Sequence, residues 1–270
     1  MSDLPIILYE QHGDVAVLSL NRPEKMNSVG PGFFEALSEN VGRARDDAGV
    51  HAIVITGEGR AFCAGADLSP EAQAFNANQP AQELKDKFPV DPGCDWPRGW
   101  IGMNIPKPVV CAVNGAAVGY GAELLATCDM RVAGQSARIG WVFARRGLVT
   151  DMGIGPVMLP RLIGMSQTAR LLFSGEIVNA DEALRIGLVD EVVPDADLRA
   201  RAIELAGHLG SGAPNSIAVH KRQLYGTLLQ HPHETYFENL QEFTKAMKSE
   251  DFTEGVRSFM EKRPPVWTGR

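Results

Sequence analysis

The sequence is poor in the residues that build small secreted folds or metal-bound folds. Four cysteines are spread over 270 residues without the spacing of metal ligands. We therefore expect reduced, mostly buried thiols, as in a protein of the cytoplasm. Histidines are also few, and although His231 and His233 are close in sequence, no third ligand lies near them. No metal site and no redox cofactor are predicted.

Long apolar runs and an excess of positive charge are also absent. No stretch approaches the ~20 apolar residues of a membrane-spanning helix, and the first residues lack the pattern of a secretion signal. We expect no membrane association. The net charge of −7 argues against nucleic acid as a partner, although a local basic patch for a phosphate-bearing ligand remains compatible with it. Neither the GxxxxGK phosphate loop nor the GxSxG nucleophile turn occurs.

The residues that are present predict an α/β fold. Hydrophobic residues make up 44% of the chain and charged residues 22%, a balance that can build a large core. Apolar runs predict strands over 15–20 and 52–57, and helical spacing predicts a helix from Phe33 to about Asp46. Beyond Asp195 the pattern indicates helices alone, broken near Gly210, Pro232 and Ser249. We therefore divide the chain into an α/β core, residues 1–195, and a helical tail, residues 196–270.

Two loops rich in small residues each follow a predicted buried strand. The first occupies residues 61–68, and the second lies within residues 112–124 and leads into a helix. Small residues allow the backbone to approach a ligand closely, and a helix start presents unpaired N–H groups with a partial positive charge. Either loop alone is typical of a tight, well-packed turn. Together they could offer two N–H groups to one oxygen that becomes negative during a reaction.

The motifs in these loops resemble those of a known family. They are FCAGADL at 62–68, PKP at 106–108, NG at 114–115 and GYGAE at 119–123. The chain is similar to the crotonase, or enoyl-CoA hydratase/isomerase, superfamily over nearly its whole length. The resemblance implies a spiral of ββα repeats with a C-terminal helical region that assembles into trimers, commonly paired as hexamers.

The resemblance also implies catalytic residues. The backbone N–H groups of Ala66 and Tyr120 would bind a thioester oxygen, although the family often has glycine at the second position. Glu123 matches a catalytic or water-positioning glutamate; without the resemblance, it would be a complement to the helix dipole. Asp151 matches the acidic residue of isomerase-like and dehalogenase-like members; alone, it would be a helix cap. Phe143 stands where hydratases carry a second glutamate.

Further residues are assigned to substrate binding by the same resemblance. Trp141 and Phe143 would contribute to substrate binding, and Trp96 and Trp100 either line the acyl pocket or only pack residues 69–102 onto the core. Lys262 is a chemically sensible phosphate partner, but a lysine near a helix end is also typical of a dipole complement. The residues expected to bind coenzyme A are Lys25, Met26, Ala64, Asp67, Leu68, Phe259 and Lys262.

The sequence therefore predicts an enzyme that acts on an acyl-CoA thioester, with coenzyme A as part of the substrate. Because the pair of glutamates is incomplete while Asp151 is present, we favour double-bond isomerisation of an enoyl-CoA. The alternatives are a 2-enoyl-CoA hydratase, in which Glu123 positions the water, and a non-catalytic member that only binds acyl-CoA. The expected partners are the acyl-CoA and further copies of this chain.

Overall fold

A computed structural model of the chain describes residues 5–69, 100–228 and 230–270. The described residues contain ten strands. They are β1 (Ile7–His12), β2 (Val15–Leu20), β3 (Ala52–Gly57), β4 (Ala61–Cys63), β5 (Val109–Val113), β6 (Ala116–Val118), β7 (Met130–Gly134), β8 (Arg138–Gly140), β9 (Ile177–Asn179) and β10 (Glu191–Val193). Trp96, which the sequence analysis considered for the acyl pocket, lies outside the described residues.

Nine α-helices lie within the same described ranges. They are α1 (Phe33–Asp46), α2 (Ile101–Asn104), α3 (Tyr120–Thr127), α4 (Ile154–Ser174), α5 (Ala180–Arg185), α6 (Leu198–Gly210), α7 (Pro214–Gly226), α8 (Pro232–Ala246) and α9 (Glu250–Glu261). Helix α4 has non-helical dihedral angles at Gly164. The predicted breaks in the tail coincide with the boundaries between α6, α7, α8 and α9.

The strands form two sheets that share the same repeat. The order is β1-β2-β3-β5-β7-β10 in the larger sheet and β4-β6-β8-β9 in the smaller one. Each of the pairs β3–β4, β5–β6 and β7–β8 sends its first strand to the large sheet and its second to the small sheet, and a helix follows. Strands β2, β3, β5, β7 and β10 are parallel. This arrangement confirms the predicted α/β class and its ββα repeat.

Apolar side chains cover both faces of the large sheet, as a parallel sheet requires. One face belongs to the main core, in which Phe33 and Leu37 of α1 and Leu124 of α3 are buried. The other face packs Val54 and Val110 against Leu205 and neighbouring residues of α6. The first helix after the predicted boundary at residue 195, α6, therefore packs directly on the sheet of the core. The division of the chain into two domains stays a prediction.

A buried ion pair joins the tail to the core. Lys221 of α7 donates to Asp129 over 2.6 Å, and the hydroxyl of Tyr225 donates to the same carboxylate over 2.7 Å. The backbone N–H of Val109 also donates to Asp129. Because both partners lose water on burial, this pair needs these additional hydrogen bonds. Helix α7 is thereby fixed against the start of β5.

The structure differs from the predicted elements at several short segments. Strands β4 and β6 lie inside the two stretches that the sequence analysis assigned to loops, residues 61–68 and 112–124. Strands β1 and β9 were not predicted. Strand β9 has three residues and β6 consists of small ones, so neither contains the alternation from which a strand can be recognised.

Candidate active site

The two loops of small residues meet at the edge of the small sheet. Strands β4 and β6 are parallel neighbours, so their carboxyl ends lie at the same edge. Gly65 and Gly119 both have positive φ angles, +87° and +60°. A Cβ atom on Gly119 would lie 3.5 Å from the Cα of Gly65, and one on Gly65 would lie 2.8 Å from the carbonyl oxygen of Val118. Both positions therefore need glycine, and the backbones of the two loops are in contact.

The N–H groups of Ala66 and Tyr120 lie at this contact. Val29 receives a hydrogen bond from Asp67 N–H and donates one to the carbonyl of Gly65, each over 2.8 Å. Since successive N–H groups of an extended chain point to opposite sides, the N–H of Ala66 points away from Val29. Tyr120 is the first residue of α3, where N–H groups lack helical partners. Neither N–H group has an acceptor among the described residues.

A segment near the N-terminus lies against the first loop. The carbonyl of Met26 accepts a hydrogen bond from Ala64 N–H over 3.0 Å. Lys25 donates to Asp67 over 2.8 Å, and Arg22 lies 3.5 Å from the same carboxylate. The Lys25 ammonium is the main reason why the pKa of Asp67 falls to about 2. The structure thus brings together the predicted residues 25, 26, 64 and 67, and Leu68 is exposed beside them.

Two asparagines that the sequence analysis did not assign to the site fix the turn before β4. The buried Asn27 donates to the carbonyls of Glu58 and Ala61 over 2.9 and 2.7 Å. Asn114 donates to the carbonyl of Gly57 over 2.6 Å and accepts from the N–H of Gly57 over 3.0 Å. The available signal was that Asn114 belongs to the NG motif and that Asn27 directly follows Lys25 and Met26. Both support the loop that presents Ala66.

Glu123 is buried and has three hydrogen-bond donors. Its carboxylate accepts from the indole N–H of Trp141 over 2.6 Å and from the backbone N–H groups of Ile154 and Gly155, each over 3.0 Å. Burial raises the pKa of this carboxyl group to about 7, opposed by the Trp141 donor and assisted by the charge of Asp151. Glu123 therefore links α3 to the first turn of α4.

Asp151 lies on the loop that leads into α4, and this loop also contacts Trp100. The residue is exposed to solvent in the single chain, yet enough protein surrounds its carboxyl group for desolvation to raise its pKa to about 6. The indole N–H of Trp100 donates to the carbonyl of the next residue, Met152, over 2.8 Å. Asp151 is also close enough to Tyr120 to raise the pKa of the phenol, which burial already raises. The second carboxyl group thus lies near the paired loops.

The side chain of Tyr120 points into the core. It is 2% exposed, and its ring meets the rings of Phe33 and Phe34 edge-on at centroid distances of 5.7 and 5.2 Å. Its hydroxyl has no hydrogen-bond partner within the described ranges. Because the side chain is directed inward, tyrosine instead of glycine leaves the backbone N–H of this position available.

The two aromatic residues that were expected to bind the substrate, Trp141 and Phe143, differ in position. Phe143 is half-buried, and its ring tip lies 3.9 Å from the place of a Cβ on Gly119, beside the two N–H groups. Trp141 is completely buried behind Glu123. The structure therefore places Phe143 next to the loops and Trp141 in the packing underneath them.

Phe259 and Lys262 lie in the tail rather than at the loops. Phe259 is 81% exposed at the end of α9, where it lines a pocket together with Val256 and Met260. Lys262 is exposed and ends this helix in a left-handed conformation. Among the described residues, no hydrogen bond or ion pair joins either residue to the loops. Within one chain they are not brought together with Lys25 and Asp67.

The comparisons with known proteins agree with this geometry. A family model described as enoyl-CoA hydratase/isomerase matches residues 10–270. The chain belongs to the enoyl-CoA hydratase/isomerase family. A Rhodobacter capsulatus protein named probable enoyl-CoA hydratase is 38% identical over 267 residues, covering 98% of each chain. The crotonase-superfamily membership predicted from the motifs is thereby confirmed.

Relatives in this family carry different activities in their names. The 1,2-epoxyphenylacetyl-CoA isomerase of Escherichia coli is 32% identical over 273 residues, covering 99% of this chain and all of that protein. The crystal structure of an enoyl-CoA hydratase from Bacillus anthracis superposes with a TM-score of 0.86 at 29% identity, covering 98% of this chain and 100% of the other. Membership therefore includes both hydratases and isomerases.

The described ranges hold no candidate for a metal site or for a membrane-spanning helix. No group of three or more His, Cys, Asp or Glu side chains in these ranges is arranged to hold a metal ion. None of the helices there is long and apolar enough to cross a membrane.

Proposed function

We propose that this family member isomerises an enoyl-CoA by stabilising the enolate of its thioester. The carbonyl oxygen would lie between the N–H groups of Ala66 and Tyr120. The contact between their two loops, with both N–H groups lacking acceptors among the described residues, is the observation that carries the proposal. Donors held in place where negative charge develops stabilise that charge, and loss of one commonly costs ~10²–10³ in rate.

Asp151 would carry the proton in this reaction. Its carboxylate removes a proton from the carbon next to the thioester carbonyl of a 3-enoyl-CoA, and the electron pair of that C–H bond forms the dienolate. The same proton then returns to the carbon at the far end of the conjugated system, giving the 2-enoyl-CoA without net gain or loss of atoms. A carboxyl group with a pKa of about 6 suits proton transfer near neutral pH.

Hydration of a 2-enoyl-CoA is the second candidate, because Glu123 is present and relatives are named as hydratases. In this reaction Glu123 would position the water. Two observations favour isomerisation instead: three donors already occupy the Glu123 carboxylate, and Phe143 replaces the usual second glutamate. A member that binds acyl-CoA without converting it is the third possibility.

Incubation of the purified protein with 3-enoyl-CoA and, separately, with 2-enoyl-CoA distinguishes these three candidates. Interconversion of the two enoyl isomers supports the proposal. Formation of a 3-hydroxyacyl-CoA from the 2-enoyl-CoA, without isomerisation, supports the hydratase. Binding of acetyl-CoA in calorimetry without turnover of either substrate supports the non-catalytic alternative. No metal or redox cofactor is added in any arm, because the proposed chemistry needs none.

For coenzyme A we propose a site that begins at the first loop. Lys25, Met26, Ala64, Asp67 and Leu68 are adjacent there, whereas Phe259 and Lys262 would reach the nucleotide from another subunit. Calorimetry with acetyl-CoA tests whether the tail residues contribute to this site. Lys262→Ala should weaken binding several-fold because a charge-assisted contact to phosphate is lost. Lys248→Ala, which removes another exposed lysine of the tail, is the control, and equal affinities in both variants would remove Lys262 from the site.

We also propose that the chain assembles into a trimer or into a hexamer built from two trimers. The tail helices α8 and α9 expose a series of large apolar side chains that a monomer would leave in water. They are Tyr236, Phe237, Leu240, Phe243, Met247, Phe252, Val256, Phe259 and Met260. Sedimentation at micromolar concentration should give a trimer or a hexamer, closed and symmetric as homo-oligomers usually are. A monomer under these conditions would contradict the assignment.

A further inference from the structure

The first turn of α4 lacks a capping side chain of its own. Its N-cap residue is Gly153, with a φ of +69° and no side chain that could accept a hydrogen bond. The first N–H groups of a helix need acceptors from elsewhere. Here the carboxylate of Glu123, 31 residues earlier, accepts from Ile154 and Gly155. The start of α4, and with it the preceding loop, is therefore fixed by a residue of α3.

Trp141 fixes the orientation of this carboxylate. Its indole N–H donates to the same oxygen, Oε1, that accepts from Gly155. The approach is close: a Cβ atom on Gly155 would lie 2.8 Å from this oxygen and 2.9 Å from the indole nitrogen. Since Trp141 is completely buried and follows β8, it joins the small sheet to the contact between α3 and α4.

Trp100 holds the other end of the same short segment. Its indole N–H donates to the carbonyl of Met152, one residue after Asp151 and two before Ile154. The loop thus has a fixed carbonyl at 152 and fixed N–H groups at 154 and 155. Asp151 lies directly beside the first of these contacts. Two indole N–H groups from different parts of the chain converge on the backbone that carries it.

We propose that Trp100 and Trp141 are positioning residues for Asp151, the first through the carbonyl of Met152 and the second through Glu123 and the start of α4. The inference rests on the function proposed for Asp151 as the group that moves the proton. It differs from the sequence-based interpretation, which assigned Trp141 to substrate binding and left Trp100 either lining the acyl pocket or packing residues 69–102 onto the core. Displacements of about 1 Å in a reacting group can cost about 100-fold in rate, so the hydrogen bonds of this segment bear directly on turnover.

Phenylalanine substitutions test this role because they keep an aromatic ring but remove the indole N–H donor, together with part of the ring system. Trp100→Phe and Trp141→Phe should each lower kcat for the 3-enoyl-CoA about tenfold and leave KM within twofold. They should also displace the acid limb of the pH profile, because Asp151 would enter a different environment. Trp267→Phe is the matched control, since its indole N–H donates to the carbonyl of Ser211 in the tail. It should keep wild-type kcat.

Thermal unfolding separates positioning from general stability. All three variants lose an indole N–H and part of a ring, and Trp141→Phe should lose the most Tm because this side chain is completely buried. Only Trp100→Phe and Trp141→Phe should lose kcat and shift the acid limb, and a loss of stability alone does not shift that limb. If Asp151→Asn is inactive but Trp100→Phe and Trp141→Phe keep wild-type kcat and an unchanged pH profile, the positioning role is overturned and the proposed function stands. Near-normal turnover by Asp151→Asn would instead overturn the proposed function, on which this inference depends.

Discussion

The two carboxyl groups near the paired loops occupy contrasting environments. Glu123 lies inside the protein, 1% exposed, with three donors on its two oxygens. Asp151 lies on an exposed loop, where partial burial alone raises its pKa to about 6. Both carboxyl groups therefore titrate nearer to neutral pH than free acids do. A raised pKa by itself does not distinguish a structural carboxylate from a catalytic one.

The difference in hydrogen bonding supplies that distinction. A carboxylate that accepts from an indole and two backbone N–H groups is held in one orientation, and any movement would leave buried donors without acceptors. The backbone N–H groups that lower the pKa of Asp151 belong to its own loop, at residues 151 and 152, so this carboxylate is not tied to a second element as Glu123 is. We therefore assign proton transfer to Asp151 and support of the loop to Glu123. The following predictions test this division, beginning with the largest effect.

Asp151→Asn should lower turnover of a 3-enoyl-CoA by about 10²–10⁴, the range that a positioned acid–base group contributes. The amide keeps the shape of the side chain but cannot take a proton. Glu123→Gln should retain measurable isomerisation, because the amide oxygen can still accept from Trp141 and Gly155. Initial rates on both enoyl-CoA isomers, with folding checked by circular dichroism, give the comparison. An inactive Glu123→Gln beside an active Asp151→Asn would reverse our assignment and favour the hydratase.

The pH dependence of stability should show that Glu123 is buried. Its folded-state pKa of about 7 exceeds the usual value of 4.5, so the folded protein binds this proton more tightly. The stabilisation is fully present below pH 4.5 and is lost as pH rises to about 7. Between pH 5 and 8, the difference in unfolding free energy between wild type and Glu123→Gln should fall by on the order of 2–3 kcal/mol.

Chemical denaturation across this pH range measures that difference. Glu182→Gln is the control, because its carboxylate pairs with Arg185 and Arg170 and has a pKa lowered to about 2. The stabilisation of the folded state by ionised Glu182 is present above the pKa of the unfolded chain and is lost only as pH falls toward 2. The corresponding difference for this variant should therefore stay constant from pH 5 to 8. The same flat response from Glu123→Gln would show that Glu123 has no raised pKa.

The backbone arrangement of the site could be predicted from the sequence, whereas its side-chain contacts could not. The loops at 61–68 and 112–124 follow strands of one predicted layer, so their meeting follows from the parallel order of successive repeats. The contact of Trp141 with Glu123 spans 18 residues, and that of Trp100 with Met152 spans 52. No periodicity or motif specifies which acceptor an indole N–H meets. Trp141 was consequently assigned to the substrate.

The acid limb of the pH–rate profile should report Asp151. Proton removal needs the carboxylate, so kcat/KM should fall about tenfold per pH unit below a pKa of about 6. Above this value the rate should level off, since no further deprotonation of this group occurs. The measurement is kcat/KM on a 3-enoyl-CoA from pH 4.5 to 8. If the acid limb instead gave an apparent pKa near 4, the base would be a solvated carboxylate rather than partly buried Asp151.

The smallest expected effect concerns Phe143, the residue that replaces the second glutamate of hydratases. Its ring lies beside Gly119 and the paired N–H groups, where it would exclude water from the space near Asp151. Phe143→Ala should admit water, lower the pKa of Asp151 and move the acid limb downward by roughly half a pH unit. Phe143→Leu, which keeps an apolar side chain, should shift the limb less. Hydration products from a 2-enoyl-CoA are measured in parallel, because a wetter site should also increase the share of water addition. An unchanged limb and product ratio in Phe143→Ala would mean that this ring does not control the solvation of Asp151.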